Sequence, residues 1–174
     1  MLKTIGIVIL VLVLGVIGLA ATKPDTFEVK RSVVVKAPPA KVSGFISDFH
    51  NWPGWSPWEK LDPTMKKTLS GAPSGKGAIY EWEGNDQVGK GRMEIVDASD
   101  SQVTIKLDFL KPFEAHNTAL FSLKPQGDST EVTWAMTGPS PFVTKLIQVF
   151  ASMDAMVGKD FEKGLSQLKV LAEK

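Results

Sequence analysis

The chain has 174 residues, a length typical of one domain, and 43% of them are hydrophobic, which is enough for a sizeable core. Its 20 Lys and Arg residues nearly balance its 19 Asp and Glu residues, so it lacks the basic excess that holds phosphate backbones, and nucleic acid is not an expected partner. With no cysteine, the chain has no disulfide, no thiol nucleophile and no cysteine metal site.

Residues 1–24 are expected to attach the protein to a membrane. Residues 5–21 contain only Ile, Val, Leu, Gly and Ala. At about 1.5 Å per residue, such a helix is just long enough for a hydrocarbon layer of about 30 Å. One alternative is a cleavable signal peptide, since Lys3 precedes the apolar run and small residues occur at Gly18 and Ala20. Another is a buried core helix, against which the lack of a polar face argues.

The orientation of this segment is not decided by charge, because Lys3 competes with Lys23, Lys30 and Arg31 on the other side. Its position at the N-terminus favours a single-pass protein with residues 25–174 on the periplasmic or extracytoplasmic side. Signal cleavage would instead give a secreted protein. We expect residues 25–174 to form one monomeric domain.

A strand and a short helix are predicted directly after the N-terminal segment. Residues 27–36 alternate between apolar and polar side chains, which predicts a first strand. Pro38 and Pro39 suit the start of a helix that ends near residues 48–51. Its apolar residues share one helical face: Val42, Phe45, Ile46 and Phe49.

An aromatic segment follows, in which Trp52, Trp55 and Trp58 recur at every third position. Pro53 and Pro57 interrupt it and predict an irregular loop. Three roles remain open for the tryptophans: lining the entrance to a cavity, plugging the end of the sheet, or touching the bilayer interface.

Six further short apolar runs separated by turn residues predict antiparallel hairpins, at residues 65–70, 78–83, 90–98, 102–110, 114–124 and 130–137. Side chains two positions apart share a face of a strand, and the alternation predicts a sheet with one apolar side. The side chains expected to point inward are Tyr80, Trp82, Met93, Ile95, Val103, Ile105, Leu107, Phe109, Phe121, Leu123, Val132, Trp134 and Met136.

The remainder of the chain, from Phe142 onward, has apolar residues at helical spacing and predicts one long helix. Its apolar stripe is expected to lie across the apolar side of the sheet. The residues of this stripe are Phe142, Leu146, Val149, Phe150, Met153, Met156, Val157, Phe161, Leu165 and Leu168.

Several motifs resemble one family: VKAP at residues 35–38, WPGWSPW at 52–58, YEWEGN at 80–85, GKG at 89–91, VTW at 132–134, and residues 153–165 of the last helix. They resemble the SRPBCC (START-like) superfamily, and in particular its bacterial polyketide cyclase/dehydrase-like branch. The resemblance covers about residues 27–172. It implies an α+β helix-grip fold, in which a curved seven-stranded antiparallel sheet wraps around the long C-terminal helix, with two short helices after strand 1.

The same resemblance implies a cavity between the sheet and the last helix. The residues expected to line it are Trp52, Trp55, Trp58, Tyr80, Trp82, Phe109, Asn117, Phe121, Trp134, Met136, Met153 and Met156. Asn117 is the clearest polar residue on the apolar face. It either bonds to neighbouring backbone or offers a hydrogen bond to the polar end of a ligand.

Catalytic and metal sites are not expected. His50 and His116 are the only histidines, and neither has a second ligand at a metal spacing. Residues 84–90 have the glycine and lysine spacing of a phosphate-binding loop, but Gly91 replaces the hydroxyl residue and strands flank the segment. The strand carboxylates, such as Glu81, fall on outward faces, so no titratable group is expected in the cavity and no cofactor is implied.

Three functions follow as hypotheses. The first is a membrane-anchored binding protein for a hydrophobic, lipid-like or polyketide-like small molecule. The second is an enzyme of the polyketide cyclase or dehydratase type. The third is a protein-interaction module whose cavity is filled by side chains.

Overall fold

The computed structural model describes residues 2–174. Within these residues, the structure has four helices and seven strands, together with two 3₁₀ helices at Phe49–Gly54 and Pro57–Lys60. In chain order, the elements are α1 (Leu2–Ala21), β1 (Thr26–Val35), α2 (Pro39–Ser47), β2 (Lys66–Gly71), β3 (Ala78–Glu83), β4 (Lys90–Ala98), β5 (Gln102–Lys111), β6 (Ala115–Gln126), β7 (Ser129–Pro139), α3 (Phe142–Phe150) and α4 (Met153–Ala172).

All seven strands form one antiparallel sheet in the order β1-β7-β6-β5-β4-β3-β2. β1 pairs with the last strand, so that Val29 lies opposite Met136. Register shifts between β4 and β5 occur near Lys90 and Ile95, and such irregularities bend a sheet and increase its twist. α4 crosses the concave side and packs mainly on β1. The helix-grip fold expected from the resemblance is confirmed.

The predicted alternation along the strands is also confirmed. Every residue expected to point inward is buried or half-buried, whereas Glu81 and Glu83 on the opposite face of β3 are exposed. Ile95 of β4 and Ile105 of β5 are fully buried, and α2 packs on both strands. This one-sided sheet supplies the floor of the core.

An ion-pair cluster fastens α4 to β1. Arg31 donates hydrogen bonds of 2.6 Å to Asp154 and 2.7 Å to Glu162, and these bonds raise the pKa of Arg31. Gly158 lies between the two carboxylates on the helix, and a Cβ atom there would collide with the guanidinium group. Glycine at this position therefore allows the arginine to lie across α4.

The aromatic segment differs from the expected irregular loop, because it forms the two 3₁₀ helices. The indole N–H of Trp52 donates to the carbonyl of Ile46, and that of Trp55 donates to the carbonyl of Phe45. A 3₁₀ turn is closed by a hydrogen bond from the backbone N–H of residue i+3 to the carbonyl of residue i. Here the backbone N–H of Trp55 donates to the carbonyl of Trp52. Bonds back to α2 thus order a segment that its prolines exclude from an α-helix.

The C-terminal region was expected to be one helix, and this expectation is wrong. The helix is interrupted at Ala151 and Ser152, where Ala151 is extended with φ −147° and ψ 124°. The Ser152 hydroxyl accepts a 3.1 Å hydrogen bond from the backbone N–H of Ala155 and caps α4. Serine competes with helix continuation in this way, so α3 ends at Phe150 and α4 begins at Met153.

α1 lies apart from the core, and most of its side chains are exposed, for example Leu12 and Ile7. The alternative of a buried core helix is therefore wrong. The segment Lys3–Ala21 is long and apolar enough to cross a membrane, a property that signal sequences share. α3 packs alongside α1.

Candidate ligand-binding cavity

A cavity of about 210 Å³ lies between the inner face of the sheet, the 3₁₀ helices and α4. Most of its walls are aromatic or aliphatic. It is lined by Trp52, Ser56, Trp58, Glu59, Met65, Tyr80, Trp82, Gln87, Val88, Met93, Leu107, Phe109, Ala119, Trp134, Met136, Val157 and Phe161. Pockets that enclose a drug-sized ligand usually measure about 300–1,000 Å³, so this one has room for a small molecule or one end of a larger one.

Seven of the twelve residues expected to line a cavity do so: Trp52, Trp58, Tyr80, Trp82, Phe109, Trp134 and Met136. Trp134 is the centre of the aromatic wall. Its ring stacks on Phe161 of α4 at a centroid distance of 4.1 Å, and Trp58 stands edge-on to it at 5.7 Å. These contacts join a strand, a 3₁₀ helix and α4 at the cavity.

Trp55 and Phe121 lie behind this wall instead of in it. Both are fully buried. Phe121 stacks on the far side of Trp134 at 4.9 Å, and Trp55 stands edge-on to Phe121 and to Trp134. Their role in the structure is to hold the cavity wall in place.

Met153 and Met156 also lie outside the lining. α4 begins only at Met153, because the helix is interrupted at Ala151 and Ser152. Met153 packs on the edge of the core, whereas Met156 is 50% exposed. Val157 and Phe161 are the residues of α4 that reach the cavity.

Asn117 is buried, as expected, but does not line the cavity. Its Nδ2 lies 4.0 Å from the sulfur of Met136, and its Oδ1 has no hydrogen-bond partner in the described part of the chain. Oδ1 packs against Gly138, where any Cβ atom would collide with it. The amide therefore makes no bond to neighbouring backbone.

A polar pair on the cavity wall was not expected from the sequence. The hydroxyl of Tyr80 donates a 2.6 Å hydrogen bond to Oε1 of Glu59, and Lys67 donates a 2.7 Å hydrogen bond to Oε2. The Glu59 side chain is only 5% exposed. A buried carboxylate needs a countercharge or hydrogen-bond donors, and here it has both.

The pair is rich in hydrogen-bond acceptors. Burial, followed by the hydrogen bond to Glu59, raises the pKa of Tyr80, so the phenol keeps its proton at neutral pH. That proton is already donated to Glu59. The remaining lone pairs of the carboxylate and the phenol oxygen can accept hydrogen bonds, whereas a second carboxylate nearby would be repelled.

The expectation that no titratable group reaches the cavity is therefore wrong. It considered only strand residues, and Glu59 lies on the second 3₁₀ helix. One signal did exist, because Tyr80 was placed inward and a buried tyrosine hydroxyl usually has a partner. Nothing in the sequence indicated which acceptor that partner is.

The turn between β3 and β4 closes one side of the cavity with Gln87 and Val88. Two bonds hold this turn. The indole N–H of Trp82 donates to the carbonyl of Val88 at 2.9 Å, and Asp62 accepts from the backbone N–H of Asn85 at 2.7 Å. Hydrogen bonds from Thr64 and Asn85 lower the pKa of Asp62. The turn is a hairpin connection, not the strand-to-helix loop of a phosphate site.

The two histidines lie outside the cavity. His50 bonds to Asp48 at 2.7 Å at the start of the first 3₁₀ helix, and His116 bonds to Asp108 at 2.7 Å on the outer face of the sheet. In the part of the chain that the structure describes, no group of three or more His, Asp or Glu residues is arranged to hold a metal ion.

The fold resembles solved structures that share little sequence with this chain. The protein CV1439 from Chromobacterium violaceum has a TM-score of 0.58 and 14% identity, and the match covers 87% of this chain and 99% of that one. The Aha1 protein from Colwellia psychrerythraea, solved as a dimer, has a TM-score of 0.60 and 14% identity, with coverages of 84% and 96%.

The di-domain ARO/CYC BexL from the BE-7585A biosynthetic pathway has a TM-score of 0.63 and 16% identity, with coverages of 91% and 53%, so this chain spans about half of its length. A comparison with curated protein sequences gives no match. The sequence profile described as "Polyketide cyclase / dehydrase and lipid transport" matches residues 26–173. The chain therefore belongs to this polyketide cyclase-like branch of the SRPBCC superfamily.

Proposed function

We propose that the protein is a membrane-attached binding protein for a hydrophobic small molecule, which enters the cavity between the sheet and α4. The observation that carries this proposal is the cavity of about 210 Å³ with aromatic and aliphatic walls. Protein cores contain few voids larger than a water molecule, so space of this size exceeds what ordinary packing leaves. This volume counts against an interaction module whose core is filled by side chains.

The walls supply the affinity in this proposal. Removing apolar surface from water is favourable by about 25 cal/mol per Å². Trp134, Trp58 and Phe161 hold one another in edge-on and stacked contacts, so little side-chain order has to be gained on binding.

The polar end of the ligand is a hydrogen-bond donor in this proposal. Glu59 and Tyr80 present acceptors on a cavity wall that is mostly apolar. A hydroxyl group on a lipid-like or polyketide-like molecule would donate to them, and a carboxylate would not. Selectivity for an alcohol over the corresponding acid is therefore part of the proposed function.

Attachment to the membrane is assigned to α1, which is exposed and long enough to span a bilayer. A signal-anchor of this kind would keep the domain beside a source of apolar ligands. With the N-terminus in the cytoplasm, the domain lies on the extracytoplasmic side.

The test uses full-length protein in lipid nanodiscs, with 1-decanol and decanoic acid as probes. Trp52, Trp58, Trp82 and Trp134 line the cavity, so binding is expected to change the intrinsic tryptophan fluorescence. The substitution Ala119→Leu fills part of the cavity and should abolish the change with 1-decanol. Ala135→Leu, on the opposite face of the sheet, is the matched control and should leave it intact.

Native mass spectrometry of the protein from its own membrane adds an independent measurement. A copurifying apolar molecule that is lost in Ala119→Leu supports the proposal. Equal fluorescence responses in both variants, together with no bound molecule, would contradict it.

A second candidate function is an enzyme of the cyclase or dehydratase type, which the Tyr80 and Glu59 pair favours because it places an acid and a base in one apolar cavity. The raised pKa of Tyr80 makes its phenol a weaker acid and moves it further from the neutral range in which a general acid works best, which favours binding over catalysis. A mass change in the copurified molecule on incubation, absent in Glu59→Gln, would support the enzyme over the binding protein.

A further inference from the structure

α3 presents an apolar face that the rest of the chain does not cover. Val143 is 60% exposed and Phe150 is 79% exposed, with Phe142 and Ile147 at 48% and 41%. No residue of α3 is fully buried. Large apolar side chains grouped in this way on one helix mark a contact surface.

The polar residues of α3 point back to the domain. Lys145 forms a 2.6 Å ion pair with Asp25, directly after α1, and Gln148 donates a 3.0 Å hydrogen bond to the hydroxyl of Ser140. Thr144, the remaining polar residue of the helix, is half-buried. The outward side of α3 is therefore entirely apolar, and no charge on it would have to be desolvated by contact with lipid.

The position of α3 along α1 indicates what covers this face. Leu146 borders a common space with Leu12, Val13, Val16 and Ile17 of α1. Leu12 and Ile17 lie nine and four residues before Ala21, the end of the apolar segment. At 1.5 Å per residue, this is about 6 to 14 Å below the end of the span.

That range overlaps the depth of an interfacial helix, whose apolar face lies about 5–10 Å into the boundary between headgroups and acyl chains. α3 also packs against α1, most of whose apolar side chains are exposed. If α1 crosses the membrane, α3 cannot avoid the same lipid layer.

We propose that α3 is a second membrane contact, an interfacial helix that lies in the lipid bilayer surface beside α1 and holds the domain against it. This inference rests on the proposed membrane attachment through α1.

The test uses the absence of cysteine in the natural chain, which allows one fluorescent label at a time. The variants are Val143→Cys, Phe150→Cys and Leu10→Cys in full-length protein, reconstituted in vesicles of phosphatidylethanolamine and phosphatidylglycerol. All three side chains are exposed, so the substitutions remove no core contact. Lipids that carry a spin label near the headgroup or near the end of the acyl chain act as quenchers.

Ser101→Cys is the control. Ser101 is exposed in the turn between β4 and β5, and its carbonyl accepts from the backbone N–H of Leu123. Leu123 of β6 pairs with Val132 of β7, which in turn pairs with Val33 of β1. Val33 is near the C-terminal end of β1, the end remote from α1, so Ser101 also lies at the remote end of the sheet. A label at Ser101 should be quenched by aqueous iodide and hardly at all by the lipids.

We expect labels at Val143 and Phe150 to be quenched several-fold more strongly than the Ser101 label by the shallow spin-labelled lipid, and the Leu10 label to be quenched by the deep one. If Leu10 is quenched but Val143 and Phe150 behave like Ser101, α1 spans the membrane and the inference about α3 is wrong. If Leu10 is not quenched, the membrane attachment itself fails. Labels at Val143 and Phe150 that neither quencher reaches would mean that a protein surface covers α3, which also overturns the inference.

Discussion

The hydroxyl of Tyr80 donates a 2.6 Å hydrogen bond to Oε1 of Glu59 inside an apolar cavity, and this bond is the main polar feature of the cavity wall. The substitution Tyr80→Phe leaves the buried carboxylate without that donor. We expect it to lower the free energy of unfolding by about 1–3 kcal/mol, which is typical when a buried group loses its partner. Chemical unfolding in detergent micelles measures the change.

Lys67→Met is the control for the preceding change, since Lys67 is 37% exposed and its ion pair is screened by water. Lys67→Met should lower the free energy of unfolding by less than Tyr80→Phe does. A larger loss in Lys67→Met would show that the ion pair, not the phenol, stabilises Glu59.

The Glu59→Gln variant tests the acceptor character of the cavity. The amide has a similar shape but carries hydrogen-bond donors and no charge. We expect the preference for 1-decanol over decanoic acid to shrink, because the acid is no longer repelled. Fluorescence titrations with both probes measure the ratio of the two dissociation constants, and an unchanged ratio would argue against a contact between Glu59 and the ligand.

Stability should depend on pH through His116 and Asp108. The hydrogen bond to Asp108 raises the pKa of His116 above its usual 6.5. Protonated His116 therefore contributes fully to the stability of the folded protein below about pH 6.5, and this contribution is lost as the pH rises through the folded-state pKa. Burial raises the pKa of Asp108. Hydrogen bonds from His116 and Lys106 lower it by more, so the pKa lies below its usual 3.8. Its contribution is therefore present above about pH 3.8 and is lost on acidification.

The measurement for this pair compares the natural chain with His116→Gln. The difference in free energy of unfolding should be largest between about pH 4 and 6.5 and should decline at alkaline pH. A difference that grows as the pH rises would contradict the ion pair.

Asn117 contains a buried carbonyl oxygen without a hydrogen-bond partner in the described part of the chain. An unsatisfied buried group costs about 1–3 kcal/mol, so Asn117→Leu, which has a similar branched shape, should raise the free energy of unfolding by about 1 kcal/mol. Asn117→Ala is the matched control and should destabilise, because it leaves a void. Destabilisation by Asn117→Leu would indicate that the amide has a partner, such as a ligand or a bound water.

Gly164 of α4 lies against the ring of Trp134, where a Cβ atom would approach Cζ3 to 2.9 Å. Trp134 cannot move aside, because Phe121 and Phe161 stack on it. We expect Gly164→Ala to destabilise by about 1–3 kcal/mol, as overpacked cores do, despite the better helix propensity of alanine. It should also weaken binding of 1-decanol.

Gly44 in α2 is the matched control, since nothing lies within 4 Å of a Cβ atom there. Gly44→Ala should stabilise the protein by about 0.5–1 kcal/mol through helix propensity alone. Stabilisation by both substitutions would show that α4 has room to move away from Trp134.

The sheet was predictable because strand side chains alternate with a period of two. Val103, Ile105 and Leu107 were placed on one face by that rule, and the structure has them there. The rule states the direction of a side chain but not how deep it lies. Phe121 and Met136 both point inward, yet only Met136 lines the cavity.

The break between the two C-terminal helices could not be predicted from the spacing of apolar residues. Leu146, Phe150 and Met153 have helical spacing, which favoured one continuous helix. The capping bond of Ser152 and the contact of α3 with α1 select two helices instead. Spacing does not detect this break, since a serine is compatible with both arrangements.

The sequence by itself determined the faces of the strands, the apolar N-terminal segment and the family resemblance, because each depends on residues that are near one another in the chain. Only the tertiary structure decided that Glu59 meets Tyr80, that Trp134 rather than Phe121 forms the cavity wall, and that α3 lies beside α1. These relationships depend on distances between elements. Such distances are set by the packing of all side chains together, and no local pattern contains them.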